Sequence, residues 1–303
     1  MSILNYANDG RPPILLVVWR ALRHLGPTSE DRIKKLCAPE SIGDAKHVGN
    51  TILRYKQLGV FVTRGEKLAL ASPFDRLSLD GDAQYRAFRR EVRRRVLLPE
   101  NNEDFLRREP SGAADFTLAC AWMLSVDVYK PDLHRHSVVQ NLEKDHLKNI
   151  IPGGSKQADK YVLQNDVRWN AFKAWMPFFG FAWNEPFQLD PSEAIEDELS
   201  EMLTANEWVT INRFMVNLGQ TIPVLAEGDY VSRARARAEA DDQWRRFDAN
   251  EIPPAVTRAL LGLEAIGSLE LDDRADADRQ VMLGSGFRPL CNVTHVRAKE
   301  VGS

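Results

Sequence analysis

A glycine that ends a helical run and opens a short apolar strand recurs three times in this chain, and no other feature limits its possible folds so much. The first instance is TILRYKQLGVFVTRGEKLALAS from Thr51, the second AFKAWMPFFGFAWNEPFQLDPS from Ala171, and the third ALLGLEAIGSLELDDRADADRQVML from Ala259. With Gly59, Gly180 and Gly267 aligned, Val48, Ile52, Tyr55 and Leu58 take the same offsets as Val256, Leu260, Leu263 and Ile266. The second copy is looser: Trp169, Phe172, Met176 and Phe179 precede its glycine with one position shifted, and Pro177 predicts a distortion near the helix end. Apolar residues at helical spacing that stop at a glycine able to take positive φ describe a helix with a C′ glycine. Three such units predict a mainly α fold with small β-hairpins, built as tandem winged helix-turn-helix modules.

The first copy is the most complete. Pro13 opens a helix with Ile14, Leu15, Val18, Leu22 and Leu25 on one face, and Gly26-Pro27 ends it. Thr28 with Asp31 imitates a capping box for a second short helix whose inner face is Ile33, Leu36 and Cys37. Pro39 and Gly43 make the turn, and Asp44 caps a third helix that Gly59 terminates. VFVT, the turn Arg64-Gly65-Glu66 and KLALA then form a hairpin. In such a module the third helix can enter a major groove while the hairpin lies along the backbone. Lys46, Asn50, Leu53 and Gln57 lie opposite the core of that helix, flanked by His47 and Arg54, and Arg64 and Lys67 sit in the wing. Cations suit phosphate and guanine, whereas Asn and Gln can pair with adenine edges. Any exposed helix is polar, however, and winged helices also dock proteins.

Charge separates the copies. Residues 1–99 carry 18 Lys and Arg against 10 Asp and Glu, while the rest carries 22 against 33. A basic end on an acidic remainder suggests that one end meets a polyanion and the other meets protein or solvent. QYRAFRREVRRRVLLP, residues 84–99, sharpens the contrast. A helix there places Tyr85, Phe88, Val92 and Val96 on one face and Arg86, Arg89, Arg90, Arg93 and Arg94 on the other. Like charges at such spacing destabilise a helix, so the stripe needs compensation. Phosphate is one source; the acidic run Glu193–Glu201 of the same chain is another; simple solvation is the third.

The other copies look different. Copy three offers Arg258, Leu261 and Ala265 where copy one has Asn50, Leu53 and Gln57, and its turn holds Asp272, Asp273, Asp276 and Asp278, which repel phosphate. Copy two has Glu185-Pro186 at its tip and many aromatics: Trp169, Trp175, Phe178, Phe179, Phe181 and Trp183. A filled core accounts for them most simply; a surface for stacking an unpaired base is the alternative. Tyr230 to Arg246 reads as a mixed-charge helix whose RARAR run is a secondary phosphate candidate.

Enzyme chemistry finds no constellation here. His134 and His136 lack a third metal ligand nearby, and PGGSK lacks the spacing of a phosphate-binding loop. Pro131-Asp132 with Glu143-Lys144 lacks the separated Glu-x-Lys of metal-dependent nucleases. No metal, cofactor or catalytic residue is expected. Cys37, Cys120 and Cys291 are far apart, as buried thiols in a reducing cytoplasm would be. PILLVVW falls short of the roughly 18 apolar residues of a membrane span, and Asn5, Asn8 and Asp9 stand where a signal peptide would be basic.

MSILNYANDGRPPILLVVWRALRHLGP, LCAPES and LRYKQLGVF resemble the DpdG family, most clearly over residues 1–75. The resemblance implies an accessory protein of bacterial gene clusters that place 7-deazapurines in DNA and restrict unmodified DNA. It brings no catalytic residues. Four segments are expected: a basic winged-helix module over 1–80, an arginine-rich linking helix over 81–110, a second module over 111–192 and an acidic third over 193–303. The leading expectation is a non-enzymatic cytoplasmic protein. Its first module and arginine helix hold duplex DNA, and its acidic modules dock other proteins of a modification and restriction system. The alternatives are an interaction subunit that never touches DNA and a winged-helix transcription regulator.

Overall fold

A computed structural model describes residues 2–4, 12–38, 45–78, 81–103, 105–106, 112–147, 161–237, 244–275 and 277–299. In chain order the first elements are α1 (Pro12–Leu25), α2 (Glu30–Cys37), α3 (Lys46–Gln57), β1 (Phe61–Arg64), β2 (Lys67–Leu70) and α4 (Gly81–Val96). Next come α5 (Ala114–Met123), α6 (His136–His146), α7 (Asp166–Phe178), β3 (Ala182–Trp183), β4 (Gln188–Leu189), α8 (Ser192–Glu196) and α9 (Leu199–Met202). The chain continues with β5 (Val209–Thr210), α10 (Ile211–Thr221), α11 (Asp229–Arg237), β6 (Glu251–Ile252) and α12 (Pro254–Ala265). Four strands close it: β7 (Leu269–Asp272), β8 (Gln280–Leu283), β9 (Pro289–Val293) and β10 (His295–Ala298). Helix outweighs strand, and the small sheets are antiparallel apart from the β6–β8 pair, so the fold is mainly α with small β elements.

Contacts divide the chain into two compact units, residues 1–105, 109–116 and 165–179 in one and residues 106–108, 117–164 and 180–303 in the other. In the first unit, Leu15, Val18, Trp19 and Leu22 repeat at helical spacing and are buried along α1. Ser29 caps α2 by accepting from the Arg32 amide at 3.4 Å. Thr28, expected as that cap, instead exchanges two backbone hydrogen bonds with Leu68, of 3.1 and 2.8 Å, and so ties the entry to α2 against β2. Its β-branched side chain suits that extended role. Leu36 is exposed and Cys37 half-buried, so Ile33 is the one buried residue of this short helix, against the expected three. Pro39, Gly43 and Asp44 lie outside the described residues, and α3 starts after Ala45 with no side-chain cap.

Val48, Ile52 and Tyr55 are buried along α3, as the spacing predicts. β1 and β2 pair from Phe61↔Leu70 to Arg64↔Lys67, leaving a two-residue turn in which Gly65 has φ +62. Behind this hairpin, Trp19 stacks on Phe88 of α4 at 4.4 Å and donates through Nε1 to the Phe74 carbonyl at 3.0 Å. Tyr55 meets Trp175 of α7 at 5.7 Å, and Trp175 stacks on Phe179 at 5.3 Å. The aromatics of the second copy are therefore core: Trp169, Trp175, Phe178, Phe179 and Phe181 are buried, and Trp183, 54% exposed, is the exception among those named.

The glycine recurrence is real in the backbone. Gly59, Gly180 and Gly267 have φ of +77, +76 and +80. In the first and third copies the hydrogen bonds Val60→Tyr55 (2.8 Å) and Ser268→Leu263 (2.9 Å), with Gly59→Lys56 and Gly267→Glu264, complete a Schellman turn.

The strands that follow the glycines differ. β3 and β4 make a minimal hairpin. β7 does not fold back on β8, as a third wing would. It pairs with β10, and β10 pairs with β5, giving the order β5-β10-β7. β8 is the middle strand of the separate sheet β6-β8-β9, where Met282 and Leu283 are buried. The apolar side chains of β8 gain more from a central position with two neighbours than from an edge hairpin. The expected helix from Tyr230 to Arg246 also shortens: α11 runs Asp229–Arg237, residues 238–243 lie outside the described ones, and Trp244 onward is not helical.

Candidate nucleic-acid interface

Helix α3 turns its apolar face inward, and the rest of its surface follows. Lys46, Leu53 and Gln57 are exposed; His47, Asn50 and Lys56 are half-buried. Leu53, 53% exposed, sits in the middle of that surface. Arg64 and Lys67 flank the hairpin turn and are exposed, although Arg64 also reaches the Leu70 carbonyl at 3.4 Å and Asp75 at 3.8 Å. Six of the expected contact residues thus belong to one module, but Arg54 departs from the rest: it is 3% exposed and its Nη1 lies 3.5 Å from the carbonyl of Ile3. Its charge serves the packing of the chain's first residues, where the hydroxyl of Ser2 and the guanidinium of Arg168 also converge on the buried carboxylate of Asp115.

The arginine face of α4 is not a uniform surface stripe. Arg86 is exposed, Arg90 and Arg94 are half-buried, and Arg89 and Arg93 are 5% and 1% exposed. Arg93 donates to the Phe179 carbonyl at 2.9 Å. Arg89 lies over the Tyr85 ring at 5.8 Å, and Arg94 approaches Glu91 at 3.5 Å. Much of the stripe is compensated inside the first unit, by carbonyl oxygen and ring faces. Arg95, which the sequence reading passed over, donates to Ser72 at 3.1 Å and covers Phe74 at 5.9 Å. Its membership of the unbroken run Arg93-Arg94-Arg95 was the available signal.

The corresponding helix of the third copy has little free surface. α12 is buried at Ala255, Val256, Thr257, Ala259, Leu260 and Leu263. Arg258 donates to the Leu189 carbonyl at 2.9 Å and stacks over Tyr129 at 4.2 Å. The aspartates beside it are matched by cations: Asp272 with Arg274 at 2.8 Å and Asp273 with Arg279 at 3.0 Å. The Arg274 hydrogen bond holds the Asp272 carboxyl below its usual range, and Arg297 does the same for Glu270. Asp278 is exposed, and Asp276 lies outside the described residues. In the acidic run, Glu198 is buried and Glu196 accepts from Ser268 at 2.8 Å.

Three of the residues considered for metal chemistry have backbone partners. His134 lies 2.9 Å from the Pro131 carbonyl, His136 lies 2.7 Å from the Leu163 carbonyl, and Glu143 accepts from the amides of Val162 and Leu163. The PGGSK loop lies outside the described residues. Among the described residues no helix is long and apolar enough to cross a membrane.

Fold and surface together define a mainly helical protein of two compact units, with a cation-edged helix and hairpin in the first. A family model described as DpdG-like matches residues 1–277, far beyond the first 75 on which the resemblance was clearest. The chain belongs to the DpdG-like family, which associates it with a DNA modification system. No curated protein and no solved structure matches it.

Proposed function

We propose that the chain is a non-enzymatic, cytoplasmic accessory protein of a bacterial DNA modification and restriction system, and that its first module is a winged helix that rests on duplex DNA. The observation that carries this reading is the contrast between α3 and α12. The first exposes Lys46, Leu53 and Gln57 beside a hairpin bearing Arg64 and Lys67, while the second is packed on nearly every side. Arg86, with the half-buried Arg90 and Arg94, adds charge from α4. Arg54, Arg89 and Arg93 act inside the protein. The remaining modules have the compensated charge and covered helices of structural or protein-docking units, and other proteins of the system are their partners.

About four phosphate contacts give a slope of log K on log salt near −3.6. A gel-shift titration on modified and unmodified duplexes at several salt concentrations tests the reading; no complex at low salt would refute it. The burial of Arg89 and Arg93 favours the second reading, an interaction subunit that never touches DNA, and the same absence of a complex would promote it.

A further inference from the structure

The RARAR run on α11 contains a buried guanidinium whose hydrogen bonding is incomplete. Arg235 is 6% exposed. Its Nη1 is engaged by the carboxylate of Glu227, itself largely exposed at the protein surface. Its Nε and Nη2 have no acceptor among the described residues, and neither does the indole Nε1 of buried Trp244. The guanidinium lies 5.4 Å from the Trp244 ring centre and 4.9 Å from that of Phe247, so both rings hold it in place.

The two idle nitrogens are not arbitrary. Nε–H and one Nη2–H form the side-on edge of the guanidinium, two parallel donors that match two oxygens of a carboxylate or phosphate. A guanidinium also keeps its proton in a protein, so its charge persists after burial and calls for a counter-charge. The surroundings supply little. Among the described residues Glu227 is the one carboxylate bonded to Arg235, while Arg245 spends its charge on Glu251 at 2.8 Å and Arg246 reaches the Arg235 carbonyl at 3.3 Å. Burial and the charge of Arg246 both push the Arg235 pKa down, against the pull of Glu227, which is the signature of an under-compensated cation.

We propose that Arg235 and Trp244 form an oxyanion site, with the Nε/Nη2 edge binding two oxygens of a phosphate or carboxylate group and the indole N–H donating to it as a third contact. Trp244 and Phe247 fix the guanidinium so that the edge is preorganised, and Glu227 marks its solvent-facing end. The site is separate from the DNA reading and does not depend on it.

The test is the melting temperature of the full chain in phosphate, in acetate and in chloride at matched ionic strength. The wild-type protein is expected to gain stability saturably in at least one oxyanion relative to chloride. Phosphate ahead of acetate identifies a phosphate-bearing ligand; acetate ahead of phosphate identifies a carboxylate. Trp244→Phe keeps an aromatic ring but loses the indole N–H, so apparent affinity should fall about tenfold or more, the worth of one hydrogen bond to a charged group. Arg235→Lys keeps the charge without the fork and should abolish the effect, whereas Arg237→Gln in the same run should leave it unchanged. An equal response of wild type and Trp244→Phe, or no response of the wild type to either oxyanion, would overturn the proposal. The second result would make water or the chain's own acids the missing acceptor.

Discussion

Arg93, in the last turn of an arginine-rich helix, is among the most buried of the described residues and donates through Nη1 to the carbonyl oxygen of Phe179 at 2.9 Å. Phe179 is the residue that caps α7, so the bond places a cation against the unpaired carbonyls of a helix C-terminus. Arg93→Ala is expected to cost about 1.5–3 kcal/mol, the range of a hydrogen bond to a charged group, and Arg93→Glu more. Arg86→Glu on the exposed side of the same helix should change stability by less than about 0.5 kcal/mol. Urea unfolding of the variants checks this; equal small effects would return Arg93 to the surface.

The three glycines differ in what surrounds them, although their φ values are alike. A Cβ at Gly267 would meet nothing within 4 Å, whereas one at Gly180 would lie 2.8 Å from the Ala194 nitrogen. Gly267→Ala should therefore cost only the left-handed backbone term, about 1–2 kcal/mol. Gly180→Ala must also displace the start of α8 and should cost clearly more. Comparison of the two by denaturant unfolding decides the matter, and equal losses would show that the close approach at Gly180 relaxes freely.

Tyr55 packs its ring against Trp175, yet its buried hydroxyl has no partner among the described residues. Burial raises its pKa well above the usual phenol value, with Arg54 opposing. Tyr55→Phe keeps the ring contact and removes an unsatisfied polar atom. The substitution is expected to be neutral or stabilising, within about 1 kcal/mol. A loss larger than that would reveal a hydrogen bond to the hydroxyl.

These particulars show what was legible in the sequence. The helix ends were, because a left-handed C′ residue is strained for every side chain and glycine alone removes the strain; Gly59, Gly180 and Gly267 announce themselves. The core of α3 and the aromatic core around Trp175 follow from helical spacing. The partner of β7 was not legible. A strand of alternating side chains fits any edge of complementary register, and nothing local in LELD favours β10 over the nearer β8. The arginines of α4 misled for a related reason. Period alone separates apolar from polar residues, but which polar residues are covered depends on segments remote in sequence, here the end of α7 over Arg93. The oxyanion edge of Arg235 was equally hidden, since burial and an idle Nε are properties of packing.

Acid should loosen the sheet β5-β10-β7 through Glu270 and Asp272. Their carboxyls are held below the usual range, chiefly by hydrogen bonds from Arg297 and Arg274 respectively. A depressed folded-state pKa contributes stability that is present above the unfolded value of about 4 and is lost as pH falls through the folded value. The contribution is small, because both groups meet solvent. Carboxyl NMR titration should find Glu270 titrating lower than a free glutamate, and Arg297→Gln should move it upward. An unchanged midpoint in that variant would remove Arg297 as the cause.

If the first module binds DNA as proposed, whether α3 reads bases or rests on the backbone turns on Asn50 and Gln57. Their amides can make the paired donor–acceptor contacts that identify adenine, and no cation can. If they reach base edges, Asn50→Ala should cost about 1–3 kcal/mol on a preferred sequence and little on random DNA. Under the proposed function the other outcome is expected. Asn50 is half-buried, Leu53 interrupts the polar surface beside it, and Arg64 and Lys67 flank the hairpin turn, where phosphate, which carries no sequence, is the contact. Asn50→Ala should thus weaken all duplexes slightly and equally. Arg64→Gln with Lys67→Gln should lower affinity for every sequence and reduce the salt slope by nearly 2. A selection from random duplexes that returned a sharp consensus, lost in Asn50→Ala, would reverse this conclusion and make the protein a winged-helix transcription regulator.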